Sequence, residues 1–218
     1  MEYNFLFQKK EIKMTTLIHP TYFPNIEHFN HLFNSKSLCF EINDFYQKQT
    51  LRNRTSIYGS NGKLDLVIPV KFSYKNREKL KDIKICNDTK WQKNHLKSIQ
   101  ISYRSSPYFE FFEDYFFKIF EKKEKFLIDI SIKSIELIFQ ILELELEYNF
   151  TKEYDARCDL INNLRDISKR KRKGIKNLIN IYPQVFDSKH GHIQNLSILD
   201  LIFNEGIGCL DYFNKSNT

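Results

Sequence analysis

Cysteine, proline and glycine are all scarce in this 218-residue chain, at four, five and six residues. The cysteines, Cys39, Cys86, Cys158 and Cys209, stand far apart with no paired spacing, so neither a zinc site nor a disulfide framework is indicated. They read as free thiols, with Cys39 and Cys86 in apolar, strand-like runs that belong in a core. No Ser or Cys is framed by a glycine elbow, which argues against a covalent nucleophile. No motif implies a metal or an organic cofactor, and there is no internal repeat or low-complexity linker. The most apolar stretch, residues 126–148, carries Asp129, Lys133, Glu136, Glu143, Glu145 and Glu147, too many charges for a bilayer span. Residues 1–14 lack the apolar run and small-residue cleavage site of an export signal. A cytoplasmic chain without a transmembrane segment is expected.

What is present is apolar and aromatic side chain, 41% and 15% of the residues, enough for one sizeable core. A single domain over residues 15–213 is expected, between a poorly ordered extension (1–14) and a tail (214–218), with Met14 as an alternative start. Strand-like runs occupy 15–18 (TTLI), 37–42 (SLCFEI), 63–70 (KLDLVIPV, entered from an Asn61-Gly62 turn) and 82–86 (DIKIC). Helical spacing places Ile26, Phe29, Leu32 and Phe33 on one stripe, and Trp91, His95, Ile99 and Tyr103 on another that Pro107 stops. An aromatic helix over 109–120 and a stripe of Ile132, Ile135, Phe139, Leu142 and Leu146 follow. Ser197 and Asp200 form a capping-box pattern before an apolar run that Gly206 ends. The fold class expected is α/β: a mixed sheet from the N-terminal part, with a helical middle and a C-terminal helix packed on it.

The net charge of +7 invites a nucleic-acid reading. Residues 165–176, RDISKRKRKGIK, hold seven basic residues against one acidic, which leaves the rest of the chain near +1. The basicity is one run, expected as a solvated loop or an anion-holding one, and no reader module accompanies it, so no specific nucleic-acid partner is expected.

Residues 47–54, QKQTLRNR, bring Lys48, Arg52 and Arg54 together with Gln47, Gln49 and Asn53. Arginine's planar fork suits phosphate or carboxylate, and in an extended stretch Arg52 and Arg54 share a face while Asn53 points away. This is an anion-recognition inventory, suited to the pyrophosphate of a sugar nucleotide or the phosphopantetheine arm of a carrier. The plainer reading is a surface loop with ordinary ion pairs.

Four segments in order, HPTYFPNIEHFNHLF (19–33), FYQKQTLRNRTSIYGSNGKLDLVIPV (45–70), WQKNHLKSIQISYRSSPYF (91–109) and YPQVFDSKHGHIQNLSILDLIFNEG (182–206), resemble the WbqC-like protein family, from about residue 18 to 211. Many members carry Gln where His19 stands and Trp or Tyr where Leu51 stands, so roles at those positions do not follow from the resemblance. The resemblance implies a bacterial protein of O-antigen-type surface-polysaccharide biosynthesis, with acyl or aminoacyl transfer to an amino sugar as its chemistry. Its partners would be a sugar nucleotide or amino sugar and an acyl or aminoacyl carrier.

Transfer to an amine needs a base and oxyanion donors. His19, His95 and His190 lie in family-like segments. His190, in the polar run DSKHGHIQN ahead of a helix, is the expected base, with Asp187 or Asp200 to orient it. His95 shares a stripe with Trp91 and Ile99, which equally suits a structural histidine. Gln47, Lys48, Arg52, Asn53 and Arg54 are expected to bind substrate with Gln184 and Asn195, while Tyr22 and Tyr108 line the pocket. This reading requires a pocket where the Arg52/Arg54 face, one histidine and the 182–195 loop converge. It also expects Arg52→Ala to abolish turnover with little change in melting temperature. Two alternatives stand beside it. PNIEH (24–28) echoes a nucleotidylyltransferase signature, with Glu27 in the glycine position, and needs His28 in the pocket. A non-catalytic partner in a glycan-assembly complex needs only a shallow apolar patch.

Overall fold

The computed structural model describes residues 15–73, 77–156, 161–169 and 181–214. In chain order its strands are β1 (Thr15–Ile18), β2 (Leu38–Phe40), β3 (Arg54–Gly59), β4 (Gly62–Val67), β5 (Val70–Lys71), β6 (Lys84–Ile85), β7 (Tyr148–Phe150) and β8 (Ile161–Asn163). Its helices are α1 (Ile26–Phe33), α2 (Trp91–Tyr103), α3 (Phe109–Glu121), α4 (Leu127–Ile141), α5 (Asp187–His190), α6 (Ile198–Glu205) and α7 (Cys209–Asn214). The α/β class expected from the sequence is the class observed.

Four strands form a wholly parallel sheet in the spatial order β7-β2-β1-β8. Taken in chain order, these are the third, second, first and fourth strands, the arrangement of one half of a doubly wound nucleotide-binding sheet. The other strands pair as two antiparallel ribbons, β3 with β4 and β5 with β6. Leu17 and Ile18 of β1 are buried, as a strand covered on both faces of a parallel sheet requires.

The turn from β1 into α1 is tightly held. Phe23 sits at φ 41, a strained value for a bulky residue. Its N–H donates to Ser134 Oγ, and its carbonyl accepts from Thr55 Oγ1 and Ser197 Oγ. Asn25 caps α1 by accepting from the His28 N–H at 2.9 Å. Helices α2, α3, α4 and α6 bury the aromatic stripes: Phe203 rings with Tyr103, Phe109 and Phe116, all within 5.2 Å between centroids. Ser197 caps α6 as the sequence indicates, accepting from the Leu199 N–H.

Strands β3, β7 and β8 fall outside the strand-like runs read from the sequence, and two of them belong to the central sheet. The expected extension 1–14, residues 215–218 of the expected 214–218 tail, Cys158, and the basic run beyond Lys169 lie outside the described residues, while Asn214 ends α7. Cys39, Cys86 and Cys209 are free thiols. Among the described residues no helix is long and apolar enough to cross a membrane.

Candidate functional site

All four parallel strands end on one edge, and the residues just past those ends meet there. His19 follows β1, Glu41 and Asp44 follow β2, Thr151 follows β7, and Arg165 follows β8. Parallel sheets bind ligands at this carboxyl edge, where neighbouring strands connect in opposite directions. In this sheet that point lies between β1 and β8. A cavity of about 220 Å³ opens there, lined by His19, Asp44, Gln47, Arg52, Tyr154, Asn163, Arg165, Asp166 and Lys169.

Pro20 disfavours helical backbone at His19, which keeps that residue extended past the strand end. Arg52 comes from a 3-10 turn, Leu51–Asn53, that leads into β3, and it is only 1% exposed. Its Nη2 donates to Asp44 Oδ2 at 2.9 Å and to His19 Nε2 at 2.8 Å. Its Nε and Nη1 have no hydrogen-bond partner among the described residues. An idle buried donor costs about 1–3 kcal/mol, so two of the three guanidinium nitrogens of Arg52 are left for an acceptor to satisfy.

The loop that carries Asp44 is organised by Glu41, which is fully buried. Its Oε1 accepts from the backbone N–H groups of Asn43 and Asp44 and from Thr151 Oγ1. Its Oε2 lies 3.4 Å from Arg165 Nη1. Arg165 is further pinned by Asn163 Oδ1 at 3.0 Å, by the Asp155 carbonyl at 2.8 Å and by the Tyr154 ring at 4.9 Å. Lys169 pairs with Asp166 at 2.6 Å, and a bridge from Thr50 to Lys169 ties this segment to the Arg52 turn.

The hydrogen bonds assign the His19 tautomer. Nδ1 lies 3.0 Å from the Arg165 carbonyl, a pure acceptor, so Nδ1 carries the proton and donates. In the neutral ring Nε2 is then the basic atom and accepts from Arg52, while the hydrogen bond to Asp44 Oδ2, 3.0 Å away, forms only when the ring is protonated. Burial lowers the His19 pKa, with a further push from the Arg52 charge, and this outweighs the hydrogen bond to Asp44. Burial works to raise the Asp44 carboxyl, but its contact with His19 and the Arg52 charge prevail and hold it below the usual carboxylate range. The result is a neutral imidazole beside an ionised carboxylate and a guanidinium that stays protonated.

Of the residues expected from the sequence, the structure brings His19, Arg52 and Gln47 to this cavity. The others lie elsewhere. Arg54 opens β3 and does not line the cavity, because the 3-10 turn at Arg52 breaks the extended geometry that would align the two. Lys48 lies over the Phe72 ring at 4.6 Å. Asn53 is buried and donates to the Ile68 carbonyl. Tyr22 and His95 bond each other in the core at 3.1 Å, and burial brings the His95 pKa down to about 4. Tyr108 stands beside Gly206, on another part of the fold.

His190, the base expected from the sequence, lies apart from the cavity. It is exposed, and its Nε2 bonds the Ser60 carbonyl at 2.8 Å, at the tip of the β3–β4 hairpin. Arg52 is at the base of that hairpin, roughly 20 Å away for six residues of strand. Asp187 accepts from the Gln184 N–H and has no hydrogen bond to His190. Asp200 is fully buried and accepts from Tyr103, Tyr182 and Gln184, while Asn195 bonds Glu27. The 182–195 loop therefore supports the core and does not join the cavity. Sequence reasoning also missed Asp44 and Arg165. The signal for Asp44 was an acidic residue just beyond a strand-like run, matching His19 beyond β1.

Comparison with known proteins gives one match, between residues 19–180 and the model of the WbqC-like protein family. That span stops short of the 182–206 segment. No curated protein matches the chain, and no solved structure does. With the match covering well over half of its length, the chain belongs to the WbqC-like protein family.

Proposed function

We propose that this WbqC-like protein is a transferase of surface-polysaccharide biosynthesis that moves an acyl or aminoacyl group onto an amino sugar at the carboxyl edge of its parallel sheet. The observation that carries the reading is Arg52, a buried guanidinium on the lining of a cavity, with Nε and Nη1 unbonded among the described residues and a neutral histidine beside it. In this arrangement an anionic group of the substrate takes Nε and Nη1, as a carboxylate or phosphate does with an arginine fork. The amine nitrogen attacks the acyl carbon, a C–N bond forms and the bond to the leaving group breaks. The amine proton passes to His19 Nε2, displacing the Arg52 Nη2 hydrogen bond from that atom, and Asp44 Oδ2, 3.0 Å away, stabilises the imidazolium. At about 220 Å³ the cavity holds the reacting end of such a ligand, below the roughly 300–1,000 Å³ that encloses a whole one.

The nucleotidylyltransferase alternative is favoured by the strand order, which nucleotide-binding sheets share. It needs His28 in the cavity, and His28 is fully buried in α1 and does not line it. The non-catalytic alternative needs no cleft, and a cleft with unsatisfied donors favours the enzyme. Mass spectrometry of the surface glycan from a deletion strain tests the proposal. An acyl or aminoacyl group should be lost, and wild-type protein should restore it. An unchanged glycan overturns the proposal, and restoration by His19→Gln removes the base role from His19.

A further inference from the structure

A second concavity lies between the start of α2 and the end of α3, with a volume of about 420 Å³. Leu96, Phe117 and Phe120 line it, and Lys90, Lys93 and Lys123 also stand on its lining. Phe120 is buried, Leu96 and Phe117 are half-buried, and the three lysines are exposed. No ion pair engages these lysines among the described residues, and Glu121 is the only acid on the lining. The walls are fixed in advance. Gln92 Nε2 donates to the carbonyls of Phe120 at 3.1 Å and Lys122 at 2.9 Å, which staples α2 to the end of α3. The Trp91 ring meets Phe120 edge-on at 6.3 Å.

We propose that this groove binds a small amphipathic carboxylate, with its apolar body over Leu96, Phe117 and Phe120 and its charge among Lys90, Lys93 and Lys123. The volume falls in the range of small-molecule sites, and an apolar floor with a few charged groups on its lining is their usual construction. Lysine ammonium groups act as point charges and hold an anion without the fixed fork that arginine imposes. A neutral ligand would leave three cations unused, and a cationic one would be repelled. The inference is independent of the reading of the sheet-edge cavity.

Trp91 is the chain's single tryptophan and packs on Phe120, so its emission reports on the groove. The protein is titrated with decanoate below its micelle concentration, and in parallel with decanol and decyltrimethylammonium. A saturable emission change is expected with decanoate, about tenfold weaker binding with decanol, and none with the ammonium analogue. Replacing all three lysines by Gln should weaken decanoate about tenfold and leave decanol unchanged. If that triple variant fails to melt like the wild type by circular dichroism, the exposed Lys93→Gln alone serves, with about a threefold loss. Phe117→Glu should remove binding of both ligands. No saturable response in the wild type, equal affinity for decanoate and decanol, or unchanged decanoate affinity in the folded lysine variant overturns the inference.

Discussion

Arg52 illustrates how burial changes what a residue is expected to do. As a loop arginine it would be removable with little effect on stability, but it is 1% exposed and holds both Asp44 and His19. Truncation leaves Asp44 without its cation, a loss worth up to about 3 kcal/mol, less here because Asp44 remains partly solvated. Arg52→Ala should therefore abolish turnover and also lower the melting temperature by several degrees, at roughly 2–4 °C per kcal/mol for a chain of this size. Arg52→Lys keeps the charge but not the fork, so turnover should fall with a smaller thermal shift. His190 provides the contrast. Its side chain is exposed, bonds a hairpin carbonyl and lies against the Tyr58 ring, so His190→Gln should keep full activity and change stability by no more than about 0.5 kcal/mol. Turnover assays and thermal melts of the three variants separate the two histidine assignments: loss of activity on changing His190 would move the site to the 182–195 loop.

At the scale of elements, the long helices were readable, although α4 stops at Ile141, short of the stripe expected to run to Leu146, and the central sheet was only half readable. Helices α2, α3 and α4 run 13 to 15 residues, long enough for a periodic stripe to show. Strands β7 and β8 have three residues each, YNF and INN, too short and too polar to display an apolar alternation. The site inherits that gap. Its residues come from the ends of strands far apart in sequence, so Asp44 becomes a neighbour of His19 through the pairing of β2 with β1, and Arg165 does so only once β8 is placed on the other side of β1. The basic run was legible as a charge cluster, but nothing in its composition distinguished Arg165, pinned in the site, from a solvated side chain. Short elements also depend more on their caps. Asn25→Ala removes the acceptor for the His28 N–H in an eight-residue helix and should cost about 1 kcal/mol, read as a shift in the urea midpoint with an unchanged slope.

The whole molecule carries a cost from its buried histidines. Burial lowers the pKa of His28 to about 3 and of His95 to about 4, against an ordinary 6.5, and lowers that of His19 in the same sense. Below pH 6.5 the unfolded chain binds protons at these positions that the folded chain refuses. Stability is therefore complete above about pH 6.5 and falls as the pH drops toward the folded values, by about 1.4 kcal/mol per pH unit for each histidine. Between pH 6.5 and 5, His28 and His95 alone should remove about 4 kcal/mol, a large share of the roughly 5–15 kcal/mol of a typical domain. Asp44, held below its ordinary value, adds to the loss only at still lower pH. Asp200 opposes it, because burial raises its carboxyl and protonation favours the folded form. Urea titrations from pH 7.5 to 5 should show the stability falling steadily below 6.5, and His95→Gln should flatten that slope by about one proton. A stability independent of pH over this range would mean that these imidazoles reach solvent, which the burial of His28 at 0% and His95 at 5% does not permit.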